Sequence, residues 1–140
     1  MVVDTNIVID LCDGGNVESD ALFSPDVLGN VTHYIAPDTL AEINKKEDPA
    51  LRTKHCDFAK SYFEIIDNYD KNTYSKVKDE LLSYKVADSD TNTGFDISHI
   101  AYAIACGAKV FVTNDMGWLN NSHSHTYLII MDCSLKVLVN

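Results

Sequence analysis

The sequence predicts an α/β protein, a three-layer α/β/α sandwich on a mainly parallel central sheet. Three observations carry that expectation. Short apolar runs alternate with stretches of helical periodicity along 140 residues, the pattern of parallel strands joined by helical crossovers. One run, Met1–Val3, leads directly to Asp4, and another, Lys109–Thr113, is followed two residues on by Asp115. The composition, 46% hydrophobic and 23% charged, is ordinary for a folded chain and excludes disordered, collagen-like and coiled-coil classes. The length fits one domain, residues 1–140, and is long enough to bury a sizeable core.

The elements follow in order. Met1–Val3 is the first strand, and Ile7, Val8 and Leu11 then recur at helical spacing. Residues 13–30 mix Asp, Gly, Asn and Ser and read as a loop with one helical turn. Val31–Ala36 is the second strand, stopped by Pro37, after which Asp38 or Thr39 starts a helix containing Leu40 and Ile43. Between Pro49 and Lys85 two helical stretches flank Phe63–Ile66, a β-branched patch that fits a strand or a helix end. Residues 87–93 are a capping loop. Phe95–Cys106 is helical, with Ile97, Ile100, Ala101 and Ile104 on one face and Gly107 as its stop. Lys109–Thr113 is a strand, Trp118 and Leu119 suit a short helix, and Thr126–Met131 and Leu135–Val139 are the last strand-like runs. The longest apolar runs are far too short to span a bilayer, and no basic start precedes a long apolar stretch, so neither a membrane span nor a signal peptide is expected.

Charge is the first functional clue. The formal net charge is −10, and residues 1–44 contain eight acids and no Lys or Arg, whereas residues 45–85 hold nine of the eleven basic residues. So acidic a chain is a poor passive binder of nucleic acid. Either its partner is something else or divalent cations neutralise the acids locally. The four cysteines, Cys12, Cys56, Cys106 and Cys133, form no CxxC pair and fit no zinc spacing, so free thiols in a reducing cytosol are expected.

In an open parallel sheet, ligands sit outside the carboxyl ends of the strands. Asp4 and Asp115 both follow strands there, Glu42 lies one turn into the helix after the second strand, and Asp96 lies in the first turn of the helix before the Asp115 strand, helices that open on the same edge. Each acid has a plain alternative as a helix cap: Asp is favoured at N-caps, and Thr39-x-x-Glu42 and Thr93-x-x-Asp96 have capping-box spacing. Four acids converging on one edge repel one another, and a hard divalent cation with oxygen ligands removes that penalty.

Two stretches resemble a known family. Val2-Val-Asp-Thr-Asn-Ile-Val-Ile-Asp-Leu11 resembles the opening of a PIN domain, and Phe95-Asp-Ile-Ser-His-Ile-Ala-Tyr-Ala-Ile-Ala-Cys-Gly-Ala-Lys-Val-Phe-Val-Thr-Asn-Asp115 resembles that family's central segment. In length and layout the chain is most similar to the VapC-type toxins of bacterial toxin–antitoxin pairs. The resemblance implies Mg²⁺- or Mn²⁺-dependent endonucleolytic cleavage of RNA, a homodimer, and neutralisation by a small antitoxin. It implies metal binding and catalysis by Asp4, Glu42, Asp96 and Asp115, supported by Asn6 and Thr113. Asp38 competes with Glu42 for the acid of the second helix. Phosphates would need basic help, for which Lys45, Lys46, Arg52, Lys54 and Lys60 are candidates, although lysines at such spacing also make an ordinary solvated helix face.

Other chemistry is poorly represented. His123 and His125 alternate in a Ser/Asn-rich loop without a third ligand, and His99, one turn after Asp96, suits a surface or supporting role. There is no Walker motif and no GxGxxG. A phosphatase-like phosphoryl-transfer site would require a second Asp two residues after Asp4, where Asn6 stands. A catalytically silent PIN-like binding module is the other alternative, and the presence of all four acids weakens it. Residues 50–85 carry Tyr62, Phe63, Tyr69, Tyr74, Leu81, Leu82 and Tyr84, either core or the apolar surface of a dimer.

Overall fold

The structure, a computed structural model, describes residues 1–29, 31–84, 91–113, 127–132 and 136–137, with side chains over 1–26, 29, 31–83 and 97–113. Its elements are β1 (Val2–Val3), α1 (Thr5–Asp13), α2 (Val17–Leu22), α3 (Pro25–Leu28), β2 (Tyr34–Ile35), α4 (Pro37–Ile43), α5 (Pro49–Tyr62), β3 (Glu64–Ile65), α6 (Lys71–Tyr84), α7 (Thr91–Ala105), β4 (Val110–Thr113), β5 (Tyr127–Asp132) and β6 (Lys136–Val137). The strand order is β3-β2-β1-β4-β5-β6. The first four strands are mutually parallel, and β5 and β6 add antiparallel pairings beyond β4.

Alternation along the short strands divides the molecule into layers. Val3, Ile35 and Val112 face one core, which takes Ile7 and Val8 of α1, Ile43 of α4, and Cys56 and Ala59 of α5. Val2 and Phe111 face the other, covered by Ile100, Tyr102 and Ala103 of α7 with Tyr69 and Tyr74 packed against them. Neighbouring strands share a register, Val2 beside Tyr34 and Phe111, Val3 beside Ile35 and Val112. A slip by one residue would therefore exchange the two cores.

Local chemistry corrects several expectations. Residues 13–30 are not a loop with a single turn but contain α2 and α3. The Asn16 side chain accepts from Ser19 N at 3.0 Å and starts α2, while Pro25 occupies the first turn of α3, where its missing N–H costs nothing. Helix α4 begins at Pro37 rather than at Asp38 or Thr39, for the same reason. Thr39 is consequently inside the helix and forms no capping box. Helix α7 begins at Thr91, so Asp96 falls in its second turn rather than its first. The Phe63–Ile66 patch resolves as a strand, β3, parallel to β2. Tyr34–Ile35 is all that remains of the longer second strand expected over Val31–Ala36. The Trp118–Leu119 helix lies outside the described residues.

Gly107 ends α7 as expected. Its φ is 75°, and the bonds Ala108 N→Ala103 O and Gly107 N→Ile104 O, at 3.0 and 3.1 Å, close a Schellman turn that aims the chain into β4. Among the described residues no helix is long and apolar enough to cross a membrane.

Helix α6 is started by Asp70, whose carboxylate accepts from Thr73 N at 2.7 Å. That backbone bond holds the Asp70 carboxyl below its ordinary value of 3.8. A lowered folded pKa contributes stability above the unfolded value and loses it as pH falls through the folded one. Asp70→Ala should therefore lower the melting temperature at neutral pH, and the gap to wild type should shrink as the pH drops below 3.8. Thermal scans across acid pH check this; a gap that stays constant with pH would show that the charge plays no part.

Candidate active site

Strand β1 lies between β2 and β4, so successive connections leave it in opposite directions. This is the topological switch point of the sheet, where the loops part and a crevice opens. Asp4 is the residue immediately after β1, and Thr113 is the last of β4. Parallel register sets the two side by side, with Asp4 N donating to Val112 O at 2.9 Å.

Asp4 is buried, at 3% exposure, yet it is a carboxylate. Burying a charge is costly unless hydrogen bonds replace water. Three donors do so. Thr5 N reaches Oδ1 at 2.8 Å, which makes Asp4 the N-cap of α1. Thr113 Oγ1 donates to Oδ2 at 2.7 Å. His99 Nδ1, on α7, lies 2.9 Å from Oδ1, and with a carboxylate as its partner this nitrogen is the donor. The cap reading and the site reading of Asp4 are thus compatible: one carboxylate starts the helix and draws α7 and β4 onto β1.

The other nitrogen of His99 extends the cluster. Nε2 faces Glu42 Oε2 at 3.7 Å, beyond hydrogen-bond range but within ion-pair distance. Asp4 and Glu42 therefore sit at the two ends of one fully buried imidazole, and Glu42 remains partly open, with 23% of its side chain exposed. His99, expected from sequence at the surface or in support, is completely buried between the two acids. The signal available in the sequence was its position one turn beyond Asp96 on the apolar face of a helix.

Asp38, the competing acid of α4, turns elsewhere. Ser98 Oγ donates to Asp38 Oδ2, and Tyr74 OH shares a hydrogen bond with Ser98 Oγ at 2.9 Å. This chain links α4, α7 and α6. Close by, burial pushes the Tyr102 hydroxyl well above the ordinary tyrosine value, reinforced by Tyr74 and Asp38, so it stays protonated. Thr5 Oγ1 donates to Thr39 Oγ1 at 3.3 Å and ties α1 to α4 along the same edge.

The remaining candidates fall as follows. The backbone of Asp96 is in α7, one turn before His99; its side chain and the whole of Asp115 lie outside the described residues, as do His123 and His125. Asn6 is exposed on α1. Lys45 and Lys60 are exposed and Lys46 is half-buried. Arg52 is engaged by Lys46 O at 2.9 Å, and Lys54 by Asp13 at 2.9 Å. Of the aromatic and aliphatic residues in 50–85, Phe63, Tyr69 and Tyr74 are spent on the two cores, whereas Tyr62 and Leu82 are exposed.

The donor set at the switch point suits a hard divalent cation. It consists of carboxylate oxygens, and the buried Nε2 of His99 has no hydrogen-bond partner among the described residues. Asp4 and Glu42 are the acids the structure describes at the two nitrogens of His99, with Thr113 and His99 fixing the orientation of Asp4.

Thr113→Val keeps the shape of residue 113 and removes its hydroxyl, leaving Asp4 Oδ2 short of a donor. Denaturant unfolding should show a loss of about 1–3 kcal/mol, and Thr113→Ser should recover most of it. No loss in Thr113→Val would mean that water replaces the hydroxyl at Asp4.

No protein-family model matches the chain, and no curated protein matches it by sequence. Among solved structures it is similar to VapBC2 from Rickettsia felis, in a crystal structure bound to a DNA fragment from their promoter. The TM-score is 0.59 at 23% sequence identity, covering 84% of this chain and 89% of that one. The likeness shows the fold: a PIN-like α/β/α sandwich, with Asp4 at the carboxyl end of its central strand.

Proposed function

We propose that residues 1–140 form one PIN nuclease domain, the VapC-type toxin of a toxin–antitoxin pair, which cleaves RNA endonucleolytically with Mg²⁺ or Mn²⁺. The observation that carries this reading is the buried Asp4 carboxylate at the switch point, linked through His99 to Glu42. The PIN-like fold supports it, as does the name of the similar complex, VapBC2. Asp4, Glu42, Asp96 and Asp115 would hold the ion, which would supply a Lewis acid at the scissile phosphate and a lowered pKa for the attacking water. Asp4 is pre-oriented by Thr5, Thr113 and His99, so its oxygens need no rearrangement as RNA arrives. Glu42, partly open, is suited to orient the water. Lys45, Lys46, Arg52, Lys54 and Lys60 offset the repulsion between an acidic chain and the RNA backbone. The partners are RNA, a small antitoxin and a second copy of the chain, in the cytoplasm. Leu51 and Tyr62 of α5 and Leu82 of α6 are exposed apolar residues available to the dimer.

Asp4→Asn tests the reading without undoing the fold. Asn caps a helix about as well as Asp. Its amide N–H can donate to Thr113, whose hydroxyl accepts as well as donates. Asp4→Asn and Asp115→Asn should each lose Mn²⁺-dependent RNA cleavage by more than about 100-fold, since even residues behind a metal's ligands are worth 10–100-fold. Mn²⁺ should raise the melting temperature of the wild type over an EDTA control, by mass action, and do much less for the variants. Full cleavage in both variants would sink the nuclease assignment, and release of phosphate from a simple ester would favour the phosphatase-like alternative.

A further inference from the structure

Helix α1 has a second chemical end. Its last two residues, Cys12 and Asp13, lie against His55 of α5, and one ligand atom from each falls within 4.8 Å of the others. At roughly 1.5 Å of rise per residue, nine residues place Asp13 about 13 Å along the helix from Asp4, so this group is separate from the switch-point site. We propose that Cys12, Asp13 and His55 are a second metal site, specific for a softer ion of the Zn²⁺ type, which fastens the end of α1 to α5.

The donor types argue for that ion. Thiolate, imidazole and carboxylate are the ligands of Zn²⁺ and its neighbours, whereas Mg²⁺ and Mn²⁺ prefer sites made of oxygen alone. Three protein ligands, one of them the exposed Asp13, leave the fourth position to water. His55 Nε2 stands 2.9 Å from Asp13 Oδ1, a hydrogen bond that needs to open only to about 3.3 Å for both atoms to share one tetrahedral ion. The imidazole has only 1% of its side chain exposed, and its Nδ1 is buried without a hydrogen-bond partner among the described residues. The nitrogen that would take the ion is Nε2, on the Asp13 side, and the Asp13–His55 pair beside the Cys12 thiol is the donor set itself.

One cation competes for the site. Lys54 Nζ is 2.9 Å from the same Asp13 oxygen, and Lys54 and His55 together hold the Asp13 carboxyl below its ordinary value. Lys54 is half exposed, at 53% of its side chain, so its ammonium can turn into water, and surface pairs of this kind contribute little. Cys12 is half-buried and makes only a long contact to Lys54 O, at 3.9 Å. Its thiol proton passes to solvent as the sulfur binds. Ligands 42 residues apart explain why cysteine spacing showed no zinc pattern.

Co²⁺ is the probe, because a thiolate on tetrahedral cobalt gives a near-ultraviolet charge-transfer band. Titrating the purified full chain with Co²⁺ should produce that band, and Zn²⁺ should displace it. Cys12→Ser should abolish it, while Cys56→Ser, Cys106→Ser, Cys133→Ser and Asp4→Asn should retain it. Because His55 is buried and its replacement could unfold the chain, the exposed ligand provides the second variant: Asp13→Asn should weaken Co²⁺ binding at least about tenfold. Absence of the band in folded wild type, its survival in Cys12→Ser, or undiminished affinity in Asp13→Asn would each overturn the site. Retention in Asp4→Asn keeps this result independent of the nuclease reading.

Discussion

The fold is organised around a charge that has been taken out of water. Asp4 carries a carboxylate at the end of the central strand, and an ion there persists only if every lone pair it turns inward is met. The donors come from three separate elements: Thr5 at the start of α1, Thr113 at the end of β4 and His99 on α7. Satisfying one residue therefore fixes where the first helix begins, how β4 registers on β1 and how deeply α7 seats. Parallel pairing and the two alternating cores supply most of the burial, but they leave the direction of the helix ends open. The hydrogen bonds to Asp4 settle that direction.

His99 transmits this constraint across the sheet edge. One nitrogen is committed to Asp4 and the other faces Glu42, so the ring sets the spacing of two carboxylates that would otherwise repel. The placement also separates the two acids of α4. Asp38 and Glu42 are four residues apart and share a helix face, yet Asp38 is drawn towards Ser98 on α7 while Glu42 meets the imidazole. Adjacent residues of α7 thus sort adjacent turns of α4.

Much of this was legible in the residues, for reasons that differ by element. The strand–aspartate junction at Val3-Asp4 and the apolar face Ile97, Ile100, Ala101 and Ile104 were readable because periodicity and burial coincide there. Gly107 was readable because only a residue tolerant of positive φ ends a helix in that way. The segment 13–30 was misread because its helices are short and polar: α2 rests on the Asn16 cap and α3 on Pro25, and neither shows a long apolar stripe. The burial of His99 was not legible, since a histidine on an apolar face has no partner until the fold brings Asp4 to it across 95 residues. The Cys12–Asp13–His55 group escaped for the same reason, His55 being distant in sequence from the other two and near them only in space.

The two ends of α1 give the last step. Between them, Ile7 and Val8 are fully buried in the core, so the helix cannot slide or tilt without losing apolar contact. At its N-terminus the polar residues are oxygen donors and an imidazole that orients them; at its C-terminus a thiol and an imidazole stand beside a carboxylate that already carries a lysine. Hard and soft donor sets are thereby held apart by a rigid apolar segment. An ion drawn to sulfur at one end leaves the carboxylates at the other undisturbed, and the helix that positions Asp4 is restrained from both sides.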